Sequence, residues 1–459
     1  MRKNARSAAV KLFGAAGVAV LAGCASYQPL PLPPGPDLAP SLNGLDTAVP
    51  SVSGVGRIER IDSARPLTID QIGLLAILND PDLKAEAGTI DLAHAGIVQA
   101  TIIPNPVAAV SFGALISGPG TISSLSAALS QGIAQLITRQ ARVQSAELHA
   151  DQVDADQLWR QWQVAQKARQ LAADIYADGL AIALTVKEIE LLSQELDEVK
   201  QAIAAGNLTI AAQAPLAGAL AVAERALINL KLGRLKNWQA LDGLLGLEPS
   251  VRFRIARPAL GPLPKNIDAL LENLPERRPD LAALQLGYNS AEEDIRAAIL
   301  GQFPALTLGA SYNRDTSDVV TVGPTFDLGV PVFDRNQGQI AKAAATRILL
   351  RAQYQARIDS AVATVRALVA QVRQLSADLV TARSAAATAQ SLATTAQQAY
   401  AQNNLDQRTM TDYVTTALER RLEVITIEKQ INEDKIFLAV ELGLGLPKVR
   451  IALAGSPPS

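Results

Sequence analysis

The chain is predicted to be mainly α-helical with a small membrane β part: one unit written twice, each copy carrying a long-helix coiled-coil hairpin and a pair of short amphipathic strands. Three observations predict this. The first is a period of 198 residues, because Pro81-Asp82-Leu83, Ile97 and Pro106 recur as Pro279-Asp280-Leu281, Ile295 and Pro304. The half-terminal Leu245-Gly246-Leu247 likewise returns as Leu444-Gly445-Leu446. The second is a run of 104 residues, 339–442, without Pro or Gly. The third is apolar/polar alternation with a period of two over about ten residues, twice in the second copy. A duplicated unit suits a pseudo-symmetric scaffold better than a single asymmetric catalytic pocket.

Residues 1–23 read as a lipoprotein signal peptide. They hold Arg2, Lys3, Arg6 and Lys11, no acid, an apolar stretch over 12–22, and the ending Leu21-Ala22-Gly23 before Cys24. The stretch is too short to span as a mature helix, so it is expected to be removed. The small residues ahead of Cys24 resemble a bacterial lipobox, which implies a covalent lipid on that cysteine. Cys24 is also the sole cysteine, so it has no disulfide partner. An ordinary signal peptide with an incidental cysteine is the alternative. Ala25 and Ser26 include no Asp of the kind associated with inner-membrane retention, which favours delivery to the outer membrane. Without the leader the formal charge moves from −2 to −6, and a mildly acidic body is a poor match for nucleic acid. No later segment has eighteen uncharged apolar residues in a row, so any membrane crossing must be made by strands.

Residues 24–65 read as lipid anchor and Pro-rich linker, an extended tether without a core of its own. Repeat 1 spans 66–255, repeat 2 spans 256–447, and 448–459 is a C-terminal tail. Each repeat opens with an apolar-periodic helix, broken at Asn79-Asp80-Pro81 in the first copy and stopped by Pro104 and Pro106. The second copy does the same over about 267–303. Then comes a hairpin, about 107–130 in repeat 1 and 304–329 in repeat 2. In the second, Leu306, Leu308, Ala310 and Tyr312 alternate with small polar residues, and Val320, Val322, Phe326 and Leu328 alternate with Thr321, Gly323, Thr325 and Asp327. In the first, 107–116 repeats the pattern and the partner run 121–130 alternates less cleanly. A half-buried sheet on a soluble core fits this alternation, and so does a barrel wall around a watery lumen.

The longest helices follow the hairpins. Ile358, Val362, Val365, Val369, Val372 and Leu379 recur at mostly three and four spacing, a coiled-coil seam. Polar turns interrupt each long run, at about 205–212 and 403–409. Helices over 138–204 and 339–402 would each reach about 100 Å, a length with little use in ordinary globular domains. The pre-hairpin helix and the post-turn helix, 213–245 in repeat 1, sum to nearly one long helix and are expected to flank it end to end. Alanine-rich faces such as 384–401 permit close approach.

This organisation resembles the TolC-like outer-membrane efflux proteins over about residues 65–447. The resemblance rests on Asn79-Asp80-Pro81-Asp82-Leu83, on Arg278-Pro279-Asp280-Leu281 leading into Phe303-Pro304-Ala305-Leu306, on the run from Gly329-Val330-Pro331 through Phe333-Asp334-Arg335-Asn336-Gln337-Gly338, and on Leu444-Gly445-Leu446-Pro447. The first copy lacks the Asp-Arg-Asn-Gln-Gly run. The resemblance implies a homotrimer whose chains each give four strands to one twelve-strand β-barrel, continued by a periplasmic α-barrel of helices. It implies passive conduction as the exit duct of a tripartite system, with a periplasmic adaptor (membrane fusion) protein and an inner-membrane pump. The Phe333–Gly338 run is most similar to members paired with proton-driven exporters; cargo stays unassigned. It also makes the two turns, Gly206-Asn207-Leu208 and Asn404-Leu405-Asp406, the tips that meet the adaptor. Asp412 falls on the first of two acidic positions ringing the tunnel mouth, and Thr415 stands at the second. A plain hairpin turn and a solvated helix-surface aspartate are the alternatives.

No enzyme chemistry, resident cofactor or metal site is expected beyond the lipid on Cys24. His94 and His149 lie outside ligand spacing with other donors, and there is no phosphate-binding loop or nucleophile elbow. Glu292-Glu293-Asp294 reads as a charged helix face, and Trp159 and Trp162, three apart, read as packing residues. The rival reading is a non-conducting periplasmic coiled-coil lipoprotein with an envelope-spacing or assembly role. It shares every feature except insertion of the hairpins.

Overall fold

Proline and capping signals set where the helices begin. In this computed structural model, which describes residues 27–47 and 65–445, Thr68 accepts from Gln71 N while the Gln71 side chain accepts from Thr68 N, a capping box that starts α1, Ile69–Asn79. Asp80 then caps α2, Pro81–Thr101, by accepting from Leu83 N at 2.8 Å, with Pro81 in the first helical turn. In the second copy three pieces replace that pair: α5, Ile267–Glu272, α6, Leu274–Arg277, and α7, Pro279–Leu300.

The signal peptide, Cys24 and the tail 448–459 lie outside the described residues. The chain divides into one unit ending at Leu38 and a second from Ala39 onward. Within the first, residues 27–38 form no helix or strand, and Tyr27, Leu30 and Leu32 are exposed.

The long helices are α3, Ala134–Ala204, and α8, Gln337–Ala401, of 71 and 65 residues. At 1.5 Å per residue they reach about 107 and 98 Å. Each starts slightly before the expected boundary. Their companions are α4, Gln213–Leu245, and α9, Gln407–Glu441. α1, α2 and α4 pack along α3, while α7 and α9 each pack against both α3 and α8. The short helices of repeat 2 therefore join the two long rods.

The coiled-coil seam of α8 is real. Ala361, Val365, Val369 and Val372 are buried, and Val365 and Val369 meet Leu438 and Leu442. Toward the turn the seam becomes Ala382, Ala386, Ala389, Ala393 and Ala396, with Ala417 of α9 against Ala389 and Ala393. Trp162 is fully buried, its ring edge-on to Trp159 at 5.7 Å and with Val440 in the same cluster, which confirms the packing role of the pair.

The largest core lies where α1, α3 and α4 meet: Ile72, Leu75, Leu171, Ile175, Leu241 and Leu245. It also takes up Leu45, only 8% exposed. Residues 39–47 are thus not all tether. Asp46 exchanges two hydrogen bonds with Asn79, and Ala39 N donates to Gly246 O. The proline content of the segment hid these apolar and polar anchors.

The hairpins form one antiparallel sheet in the order β1-β2-β3-β4. The strands are β1, Val107–Gly113, β2, Ser124–Gly132, β3, Ala305–Arg314, and β4, Val320–Gly329. The weakly alternating run was expected to begin at 121; pairing begins at Ser124 and continues to Gly132, because β2 is held on both sides. No helix among the described residues is long and apolar enough to cross a membrane.

Candidate functional site

Register decides what this sheet can do. Directly paired residues share a face, and the pairings Val110↔Ala127, Ala127↔Tyr312 and Tyr312↔Val322 carry one apolar row across all four strands. Leu129↔Ala310↔Pro324 and Leu308↔Phe326 add further rows. The opposite face carries Ser111↔Ser126↔Asn313↔Thr321 and Gly309↔Thr325. On the apolar face the two exceptions stand at the ends. Arg314 pairs with Asp318 at the loop rim, and Gln131 donates to Pro104 O next to the helices.

Among the described residues nothing covers the apolar face. Val110, Phe112, Val322 and Phe326 are 69–75% exposed. A half-buried sheet on a soluble core is thereby ruled out, since its apolar face would be the covered one. Strands of 7–10 residues with an apolar and a small-polar face have the dimensions of a tilted barrel wall.

About 100 Å from the sheet, at the other end of α3 and α8, sit the two turns. Both end their long helix with a left-handed residue, Gly206 at φ 77° and Asn403 at φ 56°. In each the next N–H reaches back to the helix: Asn207 N to Ala202 O and Asn404 N to Ala399 O, both 2.8 Å. Asn207 and Leu208 are exposed, Asn404 and Asp406 are exposed, and Leu405 is half-buried. Asp406 caps α9 by accepting from Thr409 N and Oγ1, and those donors hold its pKa below the usual carboxylate range. Its task is structural at that atom.

Asp412 lies in the second turn of α9 and is exposed. Thr415, at the other candidate position, turns its hydroxyl to the Thr411 and Asp412 carbonyls and offers no charge. Beneath them is a feature that sequence reasoning missed. Glu195 of α3 is 2% exposed, faces Thr411, and neither of its carboxylate oxygens has a hydrogen-bond partner. Burial pushes its pKa up, and Asp412 adds to that. Farther along the same α3–α9 seam, Asp174 is 7% exposed and faces Glu433, Lys429 and Asp178. Burial first, then Glu433, raises its pKa to about 8. Asp178 accepts from Lys429 Nζ at 2.9 Å and Asn237 Nδ2 at 3.1 Å. A lone aspartate on a predicted helix looks solvated; only the facing helix shows otherwise.

The remaining polar candidates are structural ties. Asp294 accepts from Ser145 Oγ, Glu292 binds Tyr288 and Arg347, and Glu293 pairs with Arg296. His94 lies 3.8 Å from Asp154 and His149 3.4 Å from Gln152. Among the described residues no group of three His, Cys, Asp or Glu is placed to hold a metal ion.

A sheet of this kind on rods of this length has known counterparts. Residues 270–443 match the family model described as outer membrane efflux protein. That match falls within repeat 2, and the chain is similar there to the outer-membrane efflux proteins. It is 27% identical over 299 residues to the cobalt-zinc-cadmium resistance protein CzcC of Cupriavidus metallidurans, covering 61% of this chain and 67% of that one. A membrane protein from Pseudomonas aeruginosa has a similar fold, with a TM-score of 0.69 at 19% identity over 92% of this chain and 98% of its own. So does CusC, with a TM-score of 0.67 at 15% identity over 82% of this chain and 92% of its own. Family and fold are those of outer-membrane channels with helices reaching into the periplasm, rather than of enzymes.

Proposed function

We propose that three copies of the chain join their sheets into one twelve-strand β-barrel and their helices into a periplasmic tunnel, acting as the exit duct of a tripartite efflux system. One observation supports this most directly. The sheet exposes a continuous apolar face and ends in two edges, β1 and β4, that have no strand partner among the described residues. In hydrocarbon each unpaired backbone group costs several kcal/mol, so four strands cannot insert alone. A threefold ring of β4-to-β1 pairings removes every edge. α4 supports the same closure, since Val222, Ile228, Leu232 and Leu235 face away from its own chain. The spacer reading requires the strands to avoid lipid and leaves that apolar face in water.

Conduction is passive in this reading, with energy from an inner-membrane pump, proton-driven by analogy with the Phe333–Gly338 run, and an adaptor seated on the two tips. The name of the relative CzcC makes divalent metal ions the first cargo to assay. Native mass spectrometry should find trimers, and planar bilayers should show single-channel steps from them. A monomer in detergent, or a confirmed trimer without steps, would sink the reading. In the same recordings Asp412→Asn should lower the cation-to-anion permeability ratio if three Asp412 ring the mouth; an unchanged ratio removes Asp412 as a gate residue. The lipid anchor belongs to the same proposal: Cys24→Ser should abolish acyl labelling, and persistent labelling would place the lipid elsewhere.

A further inference from the structure

The polar face of the sheet carries a single charge. The register puts Asp327 opposite Thr307, which is opposite Gly132. Every other position on that face, across all four strands, is Ser, Thr, Asn, Gly, Ala or Val. Asp327 is exposed, and no hydrogen bond or ion pair ties its carboxylate to another described residue. Its row neighbours, Thr307 and Gly132, are too short to shield it. The remaining sheet charge, Arg314, is on the apolar face at the far rim and is matched by Asp318. Just beyond β4, Asp334 and Arg335 offset each other. A carboxylate has no structural employment at such a place, and its effect is on whatever passes.

We propose that Asp327, repeated three times around the closed barrel, is a specificity-determining residue that gives the barrel a preference for small hydrated cations. This rests on the trimeric pore proposed above. Twelve strands about 4.8 Å apart and tilted about 40° close at a radius of about 12 Å, which brings the carboxylates to about 10 Å from the axis. Three charges at that distance in water, screened over about 10 Å at 0.1 M salt, favour cations over anions by about fivefold. At 1 M salt the screening length is about 3 Å and the preference from this ring falls to nearly nothing. Neutral hydroxyls elsewhere on the wall add no sign of their own.

The test is the reversal potential of trimers in planar bilayers under a potassium chloride gradient. Asp327→Asn should lose about fivefold in cation-to-anion ratio at 0.1 M salt and change little at 1 M. Asp327→Glu should keep the ratio, and Asp327→Lys should shift it toward anions. Trimer mass and single-channel conductance report whether each variant still assembles. Conducting Asp327→Asn and Asp327→Lys trimers with wild-type reversal potentials would overturn the proposal while leaving the pore intact. Confirmed wild-type trimers that conduct nothing would overturn the pore itself and this inference with it.

Discussion

Arg278→Ala is expected to destabilise the protein by about 3–5 kcal/mol, the usual cost of removing one partner of a buried ion pair. Arg278 is 3% exposed and stands just before α7, where a capping side chain would otherwise sit. It donates Nε to Asp280 Oδ1 at 2.9 Å and Nη2 to Asp280 Oδ2 at 2.7 Å. Nη1 donates to the Glu441 carboxylate and carbonyl, and the guanidinium lies 4.7 Å over the Trp159 ring. One side chain thereby fastens α7, the end of α9 and the middle of α3. Its loss leaves the buried Asp280 and the partly buried Glu441 carboxylates with only Arg357, half in solvent, to answer Asp280. Arg278→Lys should recover only part of the loss, because an ammonium cannot fork across both oxygens. Denaturant unfolding of the detergent-extracted protein, followed by helical circular dichroism, reads this out. The argument fails if Arg278→Ala is no worse than Arg357→Ala.

Asp174→Asn carries the second largest effect, and it depends on pH. The Asp174 pKa is raised from 3.8 to about 8 by burial and by Glu433, so the folded chain keeps a proton that the unfolded chain has lost. Stability then falls as pH rises from about 4 to about 8 and stays lowered above that. At about 1.4 kcal/mol per pH unit the span bounds the effect near 6 kcal/mol; with local relaxation and water penetration reducing the cost of the buried charge, about 3 kcal/mol is expected. Lys429 limits the penalty: burial lowers its pKa, but Asp178, Asp174 and Glu433 outweigh that and keep it charged. The asparagine variant should flatten the slope and be the more stable protein at pH 8.5. An equal slope in both proteins would show that Asp174 ionises freely in the folded state.

How much of this was legible depends on how far apart the interacting residues are. α4 begins and ends where the sequence placed it, because Gln213 follows a polar turn and Gly246 takes the left-handed conformation after Leu245. The hairpins were legible through a period of two. β2 was the weak case, since Ala127 and Ala128 stand on opposite faces and blur the alternation. The carboxylates were not legible at all. Asp174 and Lys429 are 255 residues apart, and burial at the α3–α9 seam is a property of the pair of helices. Arg278 was visible as part of a motif, yet Glu441 and Trp159, its other partners, carry no local signal. Asp327 was read correctly as facing away from the apolar set, but its isolation became apparent only when four registers were laid side by side.

The alanine seam of α8 has a mechanical consequence. A buried valine or leucine contributes about 1.5–3 kcal/mol from water exclusion, and a buried alanine far less. At its end away from the turn the α8–α9 zipper is fastened by Val365, Val369, Leu438 and Leu442, and near the turn by alanines. The two rods are therefore glued firmly at one end of their contact and lightly at the other, so a load applied to the pair parts them from the turn upward and leaves the valine and leucine end standing.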